Sequence, residues 1–436
     1  MGEGRDQSGG KRRFVCGVVL GVTLWCVCSP AVADQQVPER VTLPEALELL
    51  EKQNPDTLAA RLQIAQAEAQ RLAARRYANP TLSVDTDDIP VGRTTPPGLS
   101  VGQTIGAAVR LDQPLVLWGK RRLRIEGAEA GVAVAKEQEH DVLRQLRSAV
   151  KDAFYGVLHD ARLFEFTSAN RERYQKIVEL NERRFRTGDI SEVEFRKIEL
   201  ENLKRLTEEE EARRTLAERR QLLGRLIGGE RAVQATGRLS APDVEVDSAQ
   251  VLNLAMENRP DLLALQRTRD QAEIALTLAR RERYPDVTVG LDYTHSQFVI
   301  SGDNRNALGL GFSLPLPLLN QNQAEIAKAG VGVRQAEMDL KRLRLDIAQE
   351  VAGAVERYQS ARRLWHTFES GYLDHAKLTV DAAEKSYRIG GASLLELLDA
   401  ERTYTSTQTD YLDTVFAARS SLDALEKAIG KDLTNE

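Results

Sequence analysis

The chain has 436 residues, of which 42% are hydrophobic, 29% charged and only 5% aromatic. Its 60 basic and 65 acidic side chains leave a mild net charge of -5, mixed along the chain, which excludes the basic footprint of a nucleic-acid partner. The length is ample for a large core, and a chain rich in Ala, Leu, Arg and Glu suits long helices better than a compact enzyme core.

Lys11, Arg12 and Arg13 precede an apolar run from Phe14 to Cys28 and the small-residue site Ala31-Val32-Ala33. That order predicts a removable signal peptide over residues 1–33, since the run is short for a spanning helix, and a mature protein starting at Asp34. All three cysteines, Cys16, Cys26 and Cys28, lie inside it, so the mature chain has no disulfide and no thiolate metal site. Trp25 and Val27 stand where a small residue precedes a lipid-bearing cysteine, which disfavours lipidation at Cys26 or Cys28, and both states stay open. No later run holds 18 apolar residues, so the exported chain is either periplasmic or inserted as a β-barrel.

The remainder is written twice. Asn54-Pro55-Asp56 recurs as Arg259-Pro260-Asp261, Arg75-Arg76 as Arg280-Arg281 and Pro80 as Pro285, all 205 residues apart. Gln113-Pro114-Leu115 matches Leu314-Pro315-Leu316, and Gly188, Ser191 and Glu194 match Gly390, Ser393 and Glu396. An ordered series over the whole length marks a duplication. The first repeat covers 34–228, the second 248–436, with a connector at 229–247.

Within each repeat a short amphipathic helix (Leu43, Ala46, Leu47, Leu50 in the first) stops at the proline motif, and a second helix runs to about Arg76 before Pro80. Period-two alternation then predicts strands at about 81–89 and 105–115, and at 286–297 and 306–315. Turn-rich loops separate them, Pro90 to Thr104 and Ser301-Gly302-Asp303-Asn304. Proline-free stretches at about 119–187 and 320–388 predict one long helix in each repeat, the first on the order of 100 Å. Ala336, Leu340, Leu343, Ile347, Val351, Ala354, Tyr358, Ala361 and Trp365 keep coiled-coil spacing. A wider stripe in the first repeat (Leu146, Val150, Ala153, Phe154, Val157) suits a helix with two neighbours. Each long helix ends at a glycine turn, Gly188 or Gly390-Gly391, after which Ser191 and Ser393 open a returning helix, with Glu194 and Glu396 completing capping boxes.

One chain thus supplies four strands. An open four-stranded sheet leaves unpaired backbone in lipid, so the strands close only with those of other chains, and a cyclic oligomer solves this for sheet and helices together.

Over its mature length the chain resembles the TolC-like outer-membrane efflux family. The resemblance is carried by the duplicated element order, by Asn54-Pro55-Asp56, by Tyr387-Arg388-Ile389-Gly390-Gly391-Ala392-Ser393 and by Leu394-Leu395-Glu396-Leu397-Leu398-Asp399-Ala400. It implies a mainly α protein with a small β part, a homotrimer whose four strands per protomer form a twelve-stranded barrel in outer-membrane lipid on a periplasmic α-helical barrel. It further implies a passive duct served by a periplasmic adaptor and an inner-membrane pump of the resistance-nodulation-division type. Gln113-Pro114-Leu115-Val116-Leu117-Trp118-Gly119-Lys120-Arg121 and Leu314 to Gln323 look like the heavy-metal cation branch. Drug efflux and type I protein secretion through the same duct stay open, as does a periplasmic coiled-coil scaffold without a pore.

By the same resemblance the tip turns, Arg186, Gly188 and Ser191 with Arg388, Gly390, Gly391 and Ser393, dock the adaptor. Glu396 and Asp399 fall where relatives carry acidic residues lining a periplasmic constriction. Glu396 equally fits a plain capping box and Asp399 a solvated helix face, and the two readings stand side by side. No catalytic, cofactor or metal residues are expected. His140, His159, His295, His366 and His375 are scattered, no HExxH or CxxC occurs, and the carboxylates at Glu208 to Glu211 read as a solvated face.

Overall fold

The computed structural model describes residues 37–93, 97–299 and 304–434. The expected signal peptide and the loop segments Thr94-Thr95-Pro96 and Ser301-Gly302-Asp303 lie outside the described residues. The first repeat runs β1 (Arg40–Val41), α1 (Leu43–Gln53), α2 (Pro55–Arg75), β2 (Thr81–Asp87), α3 (Val101–Thr104), β3 (Gly106–Leu115), α4 (Lys120–Thr187) and α5 (Glu192–Leu226). After β4 (Gln234–Ala235) the second runs α6 (Ser248–Asn258), α7 (Pro260–Glu282), β5 (Val287–Ser296), β6 (Asn306–Ser313), α8 (Gln323–Glu369), α9 (Tyr372–Arg388) and α10 (Leu394–Ile429).

α4 has 68 residues and spans roughly 100 Å. Its counterpart is not continuous. The helix expected over 320–388 breaks between α8 and α9 at Ser370-Gly371, where Gly371 adopts φ +112° and becomes the N-cap of α9. The left-handed region is open to glycine at no steric cost, so the helix can interrupt there without proline.

The four-stranded sheet has the order β2-β3-β5-β6, antiparallel throughout, with β2 and β6 as edges. Register segregates its faces. Leu82, Leu111, Leu291 and Leu310 stand in one cross-strand row, and Val84, Val109, Tyr293 and Leu308 in a parallel row on the same face. The opposite face carries Ser83, Arg110, Asp292 and Gly309, then Thr81, Asp112, Gly290 and Gly311. Glycines there leave room for the guanidinium of Arg110, which pairs with Asp112 at 2.8 Å. The apolar face lies open, with Leu308 78% and Phe312 70% exposed.

Two similar cores form where each repeat's short helix meets its long helices. Leu50, Val150, Phe154, Val157, Leu223 and Ile227 build the first. Val251, Ala255, Ile347, Val351, Leu422 and Leu425 build the second. Six of the nine expected seam positions (Ala336, Leu340, Ile347, Val351, Ala354, Tyr358) are buried. The connector adds an element too short to show alternation: β4 pairs in parallel with β1, joining residues nearly two hundred apart in sequence.

Candidate functional site

The helix turns farthest from the sheet are built alike in both repeats. At the first, Gly188 has φ +82° and Asp189 N–H donates to Arg184 O at 2.8 Å, closing the end of α4. Ser191 Oγ then accepts from Glu194 N–H at 3.2 Å, while Glu194 Oε2 accepts from Ser191 N–H at 2.9 Å. Phe185 stacks on Phe195 across the turn, 5.1 Å between centroids. At the second, Gly390 has φ +78°, Gly391 N–H donates to Ser386 O at 2.8 Å, and Ser393 and Glu396 repeat the box at 3.3 and 2.7 Å.

The two tips are tied together. Arg184 Nη2 donates to Arg388 O at 2.9 Å and its guanidinium lies 5.1 Å from the Tyr387 ring centroid. Tyr387 Oη donates to Asn181 Oδ1 at 2.5 Å, and both side chains are buried. Beneath them Tyr174, Ile177, Ile198, Leu394, Leu397 and Leu398 form a small apolar core. Arg186 pairs with Glu182 and Arg388 with Glu384, both along their own helices.

Glu396 is engaged as a cap: hydrogen bonds from the backbone and then the hydroxyl of Ser393 hold its carboxyl below the usual range. Asp399 sits one turn further on, exposed, with no hydrogen-bond or ion-pair partner among the described residues. Leu395 and Ile389 beside them are 74% and 85% exposed.

Sequence reading missed the polar network just above the tips. Arg173 Nη2 meets Glu401 at 2.5 Å, Arg402 meets Glu201 at 3.3 Å, and Arg205 bridges Glu201 and Glu208 at 3.2 and 3.0 Å. Burial pushes the Glu401 carboxyl up, against the pull of Arg173. Burial likewise raises the Tyr174 hydroxyl. The run Glu208 to Glu211 is not one solvated face, for Glu209 is buried and holds Arg171 and Ser168. His159 is also buried, its ring nitrogens each 2.8 Å from a carboxylate, Asp160 and Asp413. Charged residues at these positions show no sequence signal, because interleaved acids and bases look the same on a solvated helix.

Among the described residues no cluster of His, Cys, Asp or Glu could hold a metal ion. Nor is any described helix long and apolar enough to cross a membrane. What can enter lipid is the sheet, apolar on one face and with its inner strands β3 and β5 paired on both sides.

A duplicated bundle of very long helices on a small one-sided antiparallel sheet is the fold of TolC-like outer-membrane channels. Three solved structures match it: CusC (TM-score 0.73, 18% identity, covering 89% of this chain and 92% of that one), the CmeC outer-membrane channel of Campylobacter jejuni (0.75, 15%, 90% and 87%), and the open-state MtrE outer-membrane channel of Neisseria gonorrhoeae (0.72, 19%, 90% and 90%). The outer membrane efflux protein family matches at residues 46–229 and 251–431, one segment in each repeat, and the chain belongs to that family. The cobalt-zinc-cadmium resistance protein CzcC of Cupriavidus metallidurans is 24% identical over 393 residues, 90% of each chain. The protein is therefore an outer-membrane efflux channel component with its helical part in the periplasm, and its family and fold are those of channels. The alternative of a scaffold without a pore gives way to this assignment and to the apolar face of the sheet.

Proposed function

We propose that the protein works as a homotrimeric duct that passively conducts heavy-metal cations outward from an inner-membrane pump of the resistance-nodulation-division type, through a periplasmic adaptor. The observation that carries the duct is the sheet with two unpaired edges: β6 of one copy meets β2 of the next, and three copies give twelve strands with the apolar rows facing lipid. The cargo rests on the likeness to CzcC.

In this reading the adaptor docks on the tip turns around Gly188 and Gly390, where exposed Ile389 and Leu395 offer it apolar surface. Asp399, exposed and unpaired among the described residues, repeats three times as a ring that attracts cations without holding them. Glu396 keeps its capping bond and adds a second ring of charge. A pore has to release what it admits, so no tight metal site is needed.

Deletion of the gene followed by growth on cobalt, zinc and cadmium salts and on a panel of drugs tests the cargo. Sensitivity confined to the metals is expected; sensitivity to drugs alone overturns it. Replacing Gly390 with valine, which the φ of +78° disfavours, is expected to lower efflux while leaving trimer yield normal. Loss of the trimer instead assigns the turn a purely structural role.

A further inference from the structure

The helices join the sheet along a single rim. Register aligns Thr81 with Asp112, Leu115 with Val287 and Thr288 with Ser313, so the chain ends of α2 and α7 and the starts of α4 and α8 gather there. Hydrogen bonds knit them: Arg121 Nη2 to Arg75 O at 2.7 Å, Lys120 Nζ to Tyr284 O at 2.6 Å, Trp118 Nε1 to Pro285 O at 2.9 Å and Asn322 Nδ2 to Ala279 O at 2.9 Å.

The rim is basic in an acidic protein. Residues 75–80, 115–126, 280–286 and 314–325 hold nine Lys or Arg against four Asp or Glu, in a chain whose net charge is -5. Some of these bases are answered, as Arg75 is by Glu129 at 2.6 Å and Arg124 by Glu282 at 3.1 Å. Arg76, Arg280, Arg281 and Arg283 are exposed and have no carboxylate partner among the described residues. Beside them Tyr77, Trp118 and Tyr284 are exposed, and Leu318 and Leu319 reach 78% and 93% exposure.

Leucines, amphipathic aromatics and unanswered arginines at one level match the three zones of a leaflet: acyl chain, interface and phosphate. The planar guanidinium fits a phosphate bidentately, and like charges crowded on a rim are favoured only when anions answer them. We infer that this rim is a binding collar for anionic phospholipid headgroups in the periplasmic leaflet of the outer membrane. The inference rests on the outer-membrane location and is independent of cargo and gate.

The test uses the full-length protein in nanodiscs of equal parts phosphatidylcholine and phosphatidylglycerol, with native mass spectrometry counting the lipids retained as the disc is stripped. An exposed arginine near an anionic surface is worth about a fivefold partition. The native protein is expected to retain phosphatidylglycerol over phosphatidylcholine by at least that factor, less so in high salt. The variant Arg76→Gln, Arg280→Gln, Arg281→Gln, Arg283→Gln is expected to retain the two equally, whereas Arg213→Gln, Arg214→Gln, at exposed positions of α5 paired with Glu210 and Glu218, keeps the preference. Equal retention by the native protein, or an unchanged preference in the fourfold variant, overturns the collar.

Discussion

Tyr387→Phe isolates the bond that ties the two tips. It removes only the hydroxyl that donates to Asn181 Oδ1 at 2.5 Å and keeps the ring, with the Arg184 guanidinium over it and the apolar contacts beneath. Asn181 Nδ2 stays bonded to Ile177 O at 2.8 Å, so the loss is one buried acceptor left without a donor. Such an orphan costs about 1–3 kcal/mol. If the tips separate locally, that cost raises their opening equilibrium roughly 5- to 150-fold. Hydrogen exchange read by mass spectrometry checks it: amides of residues 178–190 and 383–393 should lose protection by that factor, and those around Val150 to Leu158 should not change. Unchanged exchange at the tips, or an equal loss along the whole chain, refutes the idea that this contact latches one tip to the other.

Other perturbations test other levels of the structure. Burial, opposed by Arg419 and Lys151 and reinforced by Glu426, pushes the Asp423 carboxyl up to about 6 from 3.8. The folded chain then binds this proton more tightly than the unfolded one, so its stabilisation is complete below pH 4 and is lost as pH rises through about 6. The thermal midpoint should therefore fall more steeply between pH 4 and 6 in the native protein than in Asp423→Asn; parallel curves contradict this. The polar face of the sheet carries Asp85, Asp87, Asp112 and Asp292 against Arg110, so the barrel should favour cations. Reversal potentials across a salt gradient should show that preference, and Asp85→Asn, Asp87→Asn, Asp292→Asn should reduce it. Leu310→Arg on the apolar face costs about 2–4 kcal/mol at the middle of a bilayer. It should deplete the protein from the outer-membrane fraction, while Thr294→Arg on the polar face is tolerated.

Much of the architecture was legible because it rests on local rules. Proline and glycine punctuate it at the same offsets in both repeats, and both capping boxes form as their Ser and Glu spacing requires. The break at Ser370-Gly371 was not legible, since a lone glycine among helix formers reads as a tolerated interior residue until its φ is seen. The pairing of β1 with β4 involves two residues on each side and long-range packing, beyond any periodicity. At the tips, the capping of Glu396 was readable from its spacing to Ser393, whereas the tie between the two turns was not, because Arg184 meets the carbonyl of Arg388 from more than two hundred residues away. The collar was hidden for a similar reason, because its arginines lie in segments some two hundred residues apart and meet only through the register of the sheet.

The duct depends on the edges of one sheet being completed by other copies of the chain. The mass of the detergent-solubilised complex measures this directly. A particle of three chains that falls to monomers only on denaturation is the expected result. A single chain that stays in solution without detergent contradicts it, since exposed Leu308, Leu310 and Phe312 would then have no lipid to face.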